Sequence, residues 1–181
     1  MEKDSAVLRI KRATPADADE AFEIRREAIR SQCIGAYSAE QMALWTRGCA
    51  SDGYSVLMEK LFYIGWVNGE AVSTGMLDLA NNEIGALFVR SAFTGRGYGK
   101  AMLDHLEAVA RQHAVAQVVL DSTLNAVSFY QACGYVGREQ AVYRSPAGLV
   151  LACVPMVKAL AQNSGAAGNQ SECLVKFTAE P

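Results

Sequence analysis

The sequence predicts an α+β fold: a mixed, mostly antiparallel sheet flanked by helices. Three observations carry that prediction. Strand-like apolar segments at 61–67, 70–79 and 83–89 follow one another across Asn68-Gly69 and Asn81-Asn82, and such dipeptides close tight turns between antiparallel strands. The third segment runs into a loop with Gly95, Gly97 and Gly99, then a helix-like stretch, then the apolar run 115–121. Helix-start signals, Thr14-Pro15 and Ser38 with Gln41, punctuate the N-terminal part.

Taken in order, 7–14 reads as a first strand on Val7, Leu8 and Ile10. Thr14, Pro15 and Asp17 then supply an N-cap hydroxyl, a proline in the first helical position and an acid in the first turn. Ala21, Ile24, Ala28 and Ile29 form the apolar stripe of that helix. Ser38 and Gln41 form a capping box for a second helix, and 51–60 predicts a short third one. After the three-strand meander, the helix 97–112 turns Ala101, Met102, Leu106, Val109 and Ala110 inward. The run 115–121 is continuously apolar, as expected of a central strand buried on both faces. A short helix begins near Asn125 and stops at Gly134. Two closing strands follow at 135–143 and 149–160, the last weakened locally by Pro155. We expect one domain over 1–160 and a low-complexity tail over 161–181.

Composition narrows the function. The chain has 181 residues, 51% hydrophobic and 20% charged, with a formal net charge of −2. That is a globular balance without a basic run, so no nucleic acid and no anionic membrane is expected as a partner. No apolar run reaches the length of a membrane span, and "MEKDSAVLRIKR" lacks the apolar core of a signal peptide. A cytoplasmic protein is the expectation. The five cysteines make no C-x-x-C pair and there are two histidines, His105 and His113. Buried or incidental thiols are expected, the histidines at a surface or edge, and no metal site.

The glycine loop admits two readings. A helix N-terminus presents unpaired N–H groups and partial positive charge, which favour a phosphate. Glycines let backbone amides approach oxygen without a Cβ in the way, and Arg96 and Lys100 add charge. The other reading is a plain turn. No G-K-[ST] closes the loop, and it is not G-x-G-x-x-G.

The loop resembles the acyl-CoA signature of the GNAT superfamily of N-acetyltransferases, [QR]-x-x-G-x-[GA]. It matches as Thr94-Gly95-Arg96-Gly97-Tyr98-Gly99, with Thr94 departing from the usual Gln or Arg. "NAVSFYQACGY", from Asn125 to Tyr135, is similar to the family's second signature. The resemblance implies a sheet that splays between two parallel strands, 83–89 and 115–121. It implies that the arm of acetyl-CoA, the cosubstrate, enters the gap along Leu87, Phe88 and Val89. The pyrophosphate then rests on amides from Arg96, Gly97, Tyr98, Gly99 and Lys100, with Thr94 and Gly95 completing the cofactor-binding loop, and the Leu87 N–H donates to the acetyl oxygen. Asn125 caps the short helix or contacts the arm, and Phe129 packs beside it.

In the same resemblance Glu83 matches the general base and Tyr130 the general acid that protonates the leaving thiolate. Glu83 and Leu87 are about 13 Å apart along a strand, which favours a water relay. Asp78 and Asp121 are rival bases, and Ser122 and Thr123 lie where the second parallel strand ends. Tyr37, Trp45 and Tyr54 line the pocket of an unidentified amine acceptor or close the core. A non-catalytic acyl-CoA sensor on the same fold is the alternative, and a homodimer is left open.

Overall fold

The structure is a computed structural model describing residues 7–48, 52–145 and 148–160, with the backbone alone for 52–55. The tail at 161–181, Cys49, Cys173 and the Tyr54 side chain lie outside the described residues.

Local signals set the first helices. Thr14 and Asp17 form a reciprocal capping box around the 3-10 turn Pro15–Asp17, which feeds α1, Ala18–Gln32. Ser38 and Gln41 do the same for α2, Ala39–Trp45, and α3 spans Asp52–Leu61. The strand before α1, β1, is shorter than expected, at Arg9–Arg12. The meander is β2 (Phe62–Val67), β3 (Glu70–Asp78) and β4 (Glu83–Val89). Asn68 and Gly69 both take positive φ, 52° and 85°, the pair of left-handed residues a two-residue hairpin turn requires.

A 3-10 turn, Ser91–Phe93, and the glycine loop lead to α4, Tyr98–Gln112. Then come β5 (Gln117–Thr123), a 3-10 turn Leu124–Ala126, α5 (Val127–Ala132), β6 (Ala141–Arg144) and β7 (Val150–Ala159). The sheet order is β1-β2-β3-β4-β5-β7-β6. Only β4 and β5 run parallel among these neighbours.

Two cores lie on opposite faces. Met102, Leu103, Leu106 and Ala110 of α4 pack with Tyr63, Leu77, Ile84, Leu120 and Tyr130. Ala18, Ala21 and Ile24 of α1 pack with Met58 of α3 and with Phe62, Ile64 and Ala71. Each Leu, Ile, Met or Phe side chain buried in this way contributes about 1.5–3 kcal/mol, and each alanine less, which is why the periodic positions rather than the caps hold the helices down.

Several expectations change. β5 is central but not buried on both faces: Gln117, Val119 and Asp121 are exposed while Val118, Leu120 and Ser122 are buried. Helix covers one face of it only. Of 135–143, only Ala141–Arg144 is a strand, with Val136 joined to Val157 by a single bridge. Pro155 sits within β7 opposite Asp121. The histidines fall as expected, His113 exposed and His105 half-buried at an edge, where its ring packs edge-on at 4.9 Å from Tyr63 and burial lowers its pKa.

Candidate active site

The parallel pair β4 and β5 touches at one register position, Glu83 opposite Val119, with Val119 N–H donating to the Asn82 carbonyl at 2.9 Å. Beyond it the strands diverge. A bulge adds to this opening. Thr74 faces Phe88 and Met76 faces Gly85, so Gly75 alone opposes Ala86 and Leu87. Ala86 takes φ 47°, a left-handed conformation that costs a non-glycine residue free energy and persists only where neighbours enforce it. Thr74 Oγ1 does so by donating to the Ala86 carbonyl at 2.9 Å.

Past the bulge, Arg90 N–H bonds the Val72 carbonyl at 2.9 Å. Alternation along an antiparallel ladder then turns the polar groups of Val89 away from β3, toward the gap. Gln32 Nε2 already donates to the Val89 carbonyl at 2.7 Å.

The glycine loop hangs from a clamp. Arg90 pairs with Glu20, and with Glu27 at 2.7 Å, while its Nε donates to the Ala71 carbonyl at 2.8 Å. Glu27 also accepts from Ser91 N and Oγ at 3.0 and 2.7 Å. Burial pushes the Glu27 carboxyl up, but these hydrogen bonds and the Arg90 charge bring it below its ordinary value. Gly95 and Gly97 have φ of 74° and 83°, and Gly97 is the N-cap of α4. Gly99 is different: a Cβ there would meet Val89 Cγ2 at 3.5 Å and the Phe129 ring at 3.7 Å, ordinary contact. Thr94 Oγ1 donates to the Ser91 carbonyl at 2.8 Å. Arg96 stacks 5.1 Å from the Phe93 ring centroid, and Lys100 pairs with Asp104 at 2.5 Å. The N–H groups that open α4 belong to Tyr98, Gly99 and Lys100 and have no intrahelical acceptor.

A cavity of about 330 Å³ fills the splay. Leu87, Phe88, Glu83, Asn125 and Tyr130 all line it, as do Asp121 and Thr123. Tyr130 is 8% exposed, and burial pushes its phenol well above the ordinary tyrosine value. The Glu83 carboxyl is also raised, by burial first and then by the charges of Asp121 and Asp78. Asp78 itself is lowered, chiefly by the Asn81 side chain, and accepts from Ala80 N–H at 2.9 Å. It braces a turn and is not among the residues lining the cavity. Ser122 is buried with its hydroxyl on the Thr123 carbonyl at 2.9 Å.

Asn125 does not cap the helix. The 3-10 turn begins after Thr123 and α5 after Ala126, and Asn125 Oδ1 instead accepts from Cys33 Sγ at 3.6 Å. Cys33 and Cys153 line the same cavity. Burial pushes the Cys33 thiol up to about 11 and raises that of Cys153. Both are therefore held as thiols at neutral pH, whereas the nucleophile is the thiolate.

The far wall comes from α1, α2 and β7. Tyr37 donates to the Ala152 carbonyl at 2.6 Å and accepts from Leu124 N–H at 3.0 Å, and its ring meets Trp45 edge-on at 5.6 Å. Gln41 Nε2 donates to the Val150 carbonyl at 2.9 Å, which docks α2 on β7. Sequence reasoning missed Arg25, Gln32, the two thiols and the clamp of Arg90 with Glu20 and Glu27. The acids of α1 recur at helical spacing and read as a solvated face, so the clamp left no distinctive signal.

This geometry offers an open strand edge, a helix N-terminus behind left-handed glycines, and acid–base side chains in one cavity. The model of the acetyltransferase (GNAT) family matches residues 23–135, and the chain belongs to that family. Acetyl-CoA is accordingly its acyl donor. A GCN5-related N-acetyltransferase from Rhodopseudomonas palustris superposes with a TM-score of 0.76 at 25% identity, covering 88% of this chain and 99% of that one. The fold is shared with the PaiA N-acetyltransferase from Thermoplasma acidophilum in complex with coenzyme A (TM-score 0.63, 18% identity, 84% and 99% covered). It is shared too with N-acetylglutamate synthase from Neisseria gonorrhoeae complexed with coenzyme A and N-acetyl-glutamate (TM-score 0.61, 17% identity, 87% and 36% covered). None of the curated proteins compared matches the chain. Among the described residues, no helix is long and apolar enough to cross a membrane.

Proposed function

We propose that the protein is an N-acetyltransferase that moves the acetyl group of acetyl-CoA to a primary amine by direct attack in a ternary complex. One observation carries the reading: Glu83, Leu87 and Tyr130 line a single cavity inside the splay of β4 and β5. The amides of Arg96, Gly97, Tyr98, Gly99 and Lys100 would hold the pyrophosphate. The arm would run along Leu87, Phe88 and Val89, reaching Val89 through its N–H or by displacing Gln32. Gly95, Asn125 and Phe129 complete the donor side, and Thr94 serves through its backbone.

The acceptor nitrogen attacks the thioester carbonyl carbon, a C–N bond forms and the C–S bond breaks. Glu83 takes the ammonium proton through water, and its raised pKa suits a base working near neutrality. The Leu87 N–H stabilises the oxyanion. Tyr130 gives its proton to the departing sulfur and is reprotonated by the second N–H proton, which the nitrogen sheds as the amide forms; burial keeps the resting phenol protonated throughout the neutral range. The protonated state of Cys33 and Cys153 argues against an acyl-cysteine intermediate. A cytoplasmic setting fits a soluble acyl donor and unpaired thiols.

Calorimetry with acetyl-CoA, paired with thiol release on a panel of amines, tests the reading. The intact chain and Tyr130→Phe are both expected to bind, with turnover roughly 10²-fold slower in the variant. Binding with no turnover on any amine would favour the non-catalytic sensor. No binding would sink both.

A further inference from the structure

We infer that the acceptor is a compact primary monoamine whose single cationic head is carried on an apolar, preferably aromatic, body. The inference rests on the acetyltransferase reading and deepens it. Three features of the cavity point the same way.

Size comes first. The cavity measures about 330 Å³, near the lower end of the roughly 300–1,000 Å³ typical of small-molecule sites, and the thioester end of the donor takes part of it. The cavity is open on one side, and a cleft of about 410 Å³ adjoins it at Glu83, Leu120 and Asp121, so a compact acceptor fills it while an amino-sugar of several rings would have to project from the opening.

Charge comes second. Glu83 and Asp121 both line the cavity, near enough that the Asp121 charge helps raise the Glu83 carboxyl. Such a pair attracts one ammonium group and repels an acceptor with a carboxylate beside its amine. On the far wall the lining cation is Arg25, whose Nη2 donates to the Trp45 carbonyl at 2.8 Å.

The wall itself comes third. Tyr37, Trp45, Phe88, Tyr143 and Leu151 line the same cavity and give it a largely aromatic and aliphatic wall. Tyr37 is fixed at both lone pair and proton, so the wall keeps its shape. Two polar side chains of the lining are already engaged, Gln32 with the Val89 carbonyl and Asn125 with Cys33.

The test measures kcat/KM by thiol release from acetyl-CoA with the intact chain. The acceptors are 2-phenylethylamine, hexylamine, spermidine, kanamycin, free leucine and a short peptide with N-terminal alanine. We expect 2-phenylethylamine and hexylamine to exceed the others by roughly tenfold or more, the size set by burying or losing a few methylene groups. Trp45→Ala should remove that preference while its acetyl-CoA Kd, read by calorimetry, stays within about twofold and certifies the fold. A preference for spermidine, kanamycin, leucine or the peptide overturns the inference and leaves the N-acetyltransferase reading standing. Turnover with none of the six overturns both.

Discussion

The donor end and the acceptor end proposed for this cavity are built from different materials. At the donor end the working groups belong to the backbone: the open edge of β4, the bulge at Ala86, and the amides that begin α4 behind Gly95 and Gly97. At the acceptor end they are side chains gathered from α1, α2, β6 and β7, among them Arg25, Tyr37, Trp45, Tyr143 and Leu151. A backbone site tolerates changes of side chain but not of φ. A side-chain site tolerates changes of φ in its loops but not of the residues that wall it.

The sharpest way to break this contrast is at two glycines in the same loop. Gly97→Val places a β-branched residue at φ 83°, where the strain is about 1–3 kcal/mol, and it shifts the amides that follow. We expect acetyl-CoA affinity, measured by calorimetry, to fall roughly 10²-fold, since each 1.4 kcal/mol is about tenfold. Gly99→Ala keeps an ordinary helical backbone, and its Cβ meets Val89 and Phe129 at normal contact distance. Its affinity should stay within about threefold, in keeping with the alanine the acyl-CoA signature admits in that place. Equal losses in the two variants would mean that space, not conformation, is what the loop's glycines supply.

The second prediction crosses from one end to the other. Tyr37 belongs to the proposed acceptor wall, yet its oxygen accepts from Leu124 N–H, at the start of the segment that carries Tyr130. Tyr37→Phe keeps the ring against Trp45 but leaves the Leu124 N–H and the Ala152 carbonyl without this partner. Each such loss costs about 1–3 kcal/mol, or several degrees in Tm for a chain of this size. Beyond the melt, kcat should drop about tenfold with acetyl-CoA Kd nearly unchanged, because the phenol of Tyr130 shifts while the glycine loop does not. A melt that moves without kcat would confine Tyr37 to packing.

The contrast also explains what the sequence made legible. Glycines, Asn-Gly turns and capping boxes act over two to four neighbouring residues, so the meander, α1, α2 and the glycine loop could be read directly. The splay could be inferred only through family resemblance, because it depends on how two strands 34 positions apart diverge after Glu83 and Val119. The capping role considered for Asn125 failed for a related reason. Its amide is claimed by Cys33, 92 residues away, and tertiary pairing of that span has no local signal. The clamp from Arg90 to α1 is equally non-local, at 63 and 70 residues.

The smallest expected effect bears on Glu83, where the two ends meet. Its carboxyl is raised by burial first, then by Asp121 and Asp78. A base must be ionised to work, so the acidic limb of kcat against pH should lie above the ordinary glutamate range. Activity there rises with pH and is lost as pH falls through the raised value. Asp121→Asn removes one negative neighbour, which makes ionisation of Glu83 easier and moves the limb to lower pH. The move should be partial, because burial is the larger cause and Asp78 remains. Asp78 cannot take over as base, since Asn81 and Ala80 hold its carboxylate in a turn. The plateau should change less than the limb, whereas KM for a cationic amine should rise as the site loses a charge. A limb that stays in place in Asp121→Asn would mean that the group titrating is not Glu83. A limb already at the ordinary carboxylate value in the intact chain would mean that bound substrates rehydrate that carboxyl, and the water relay would then have to begin at another group.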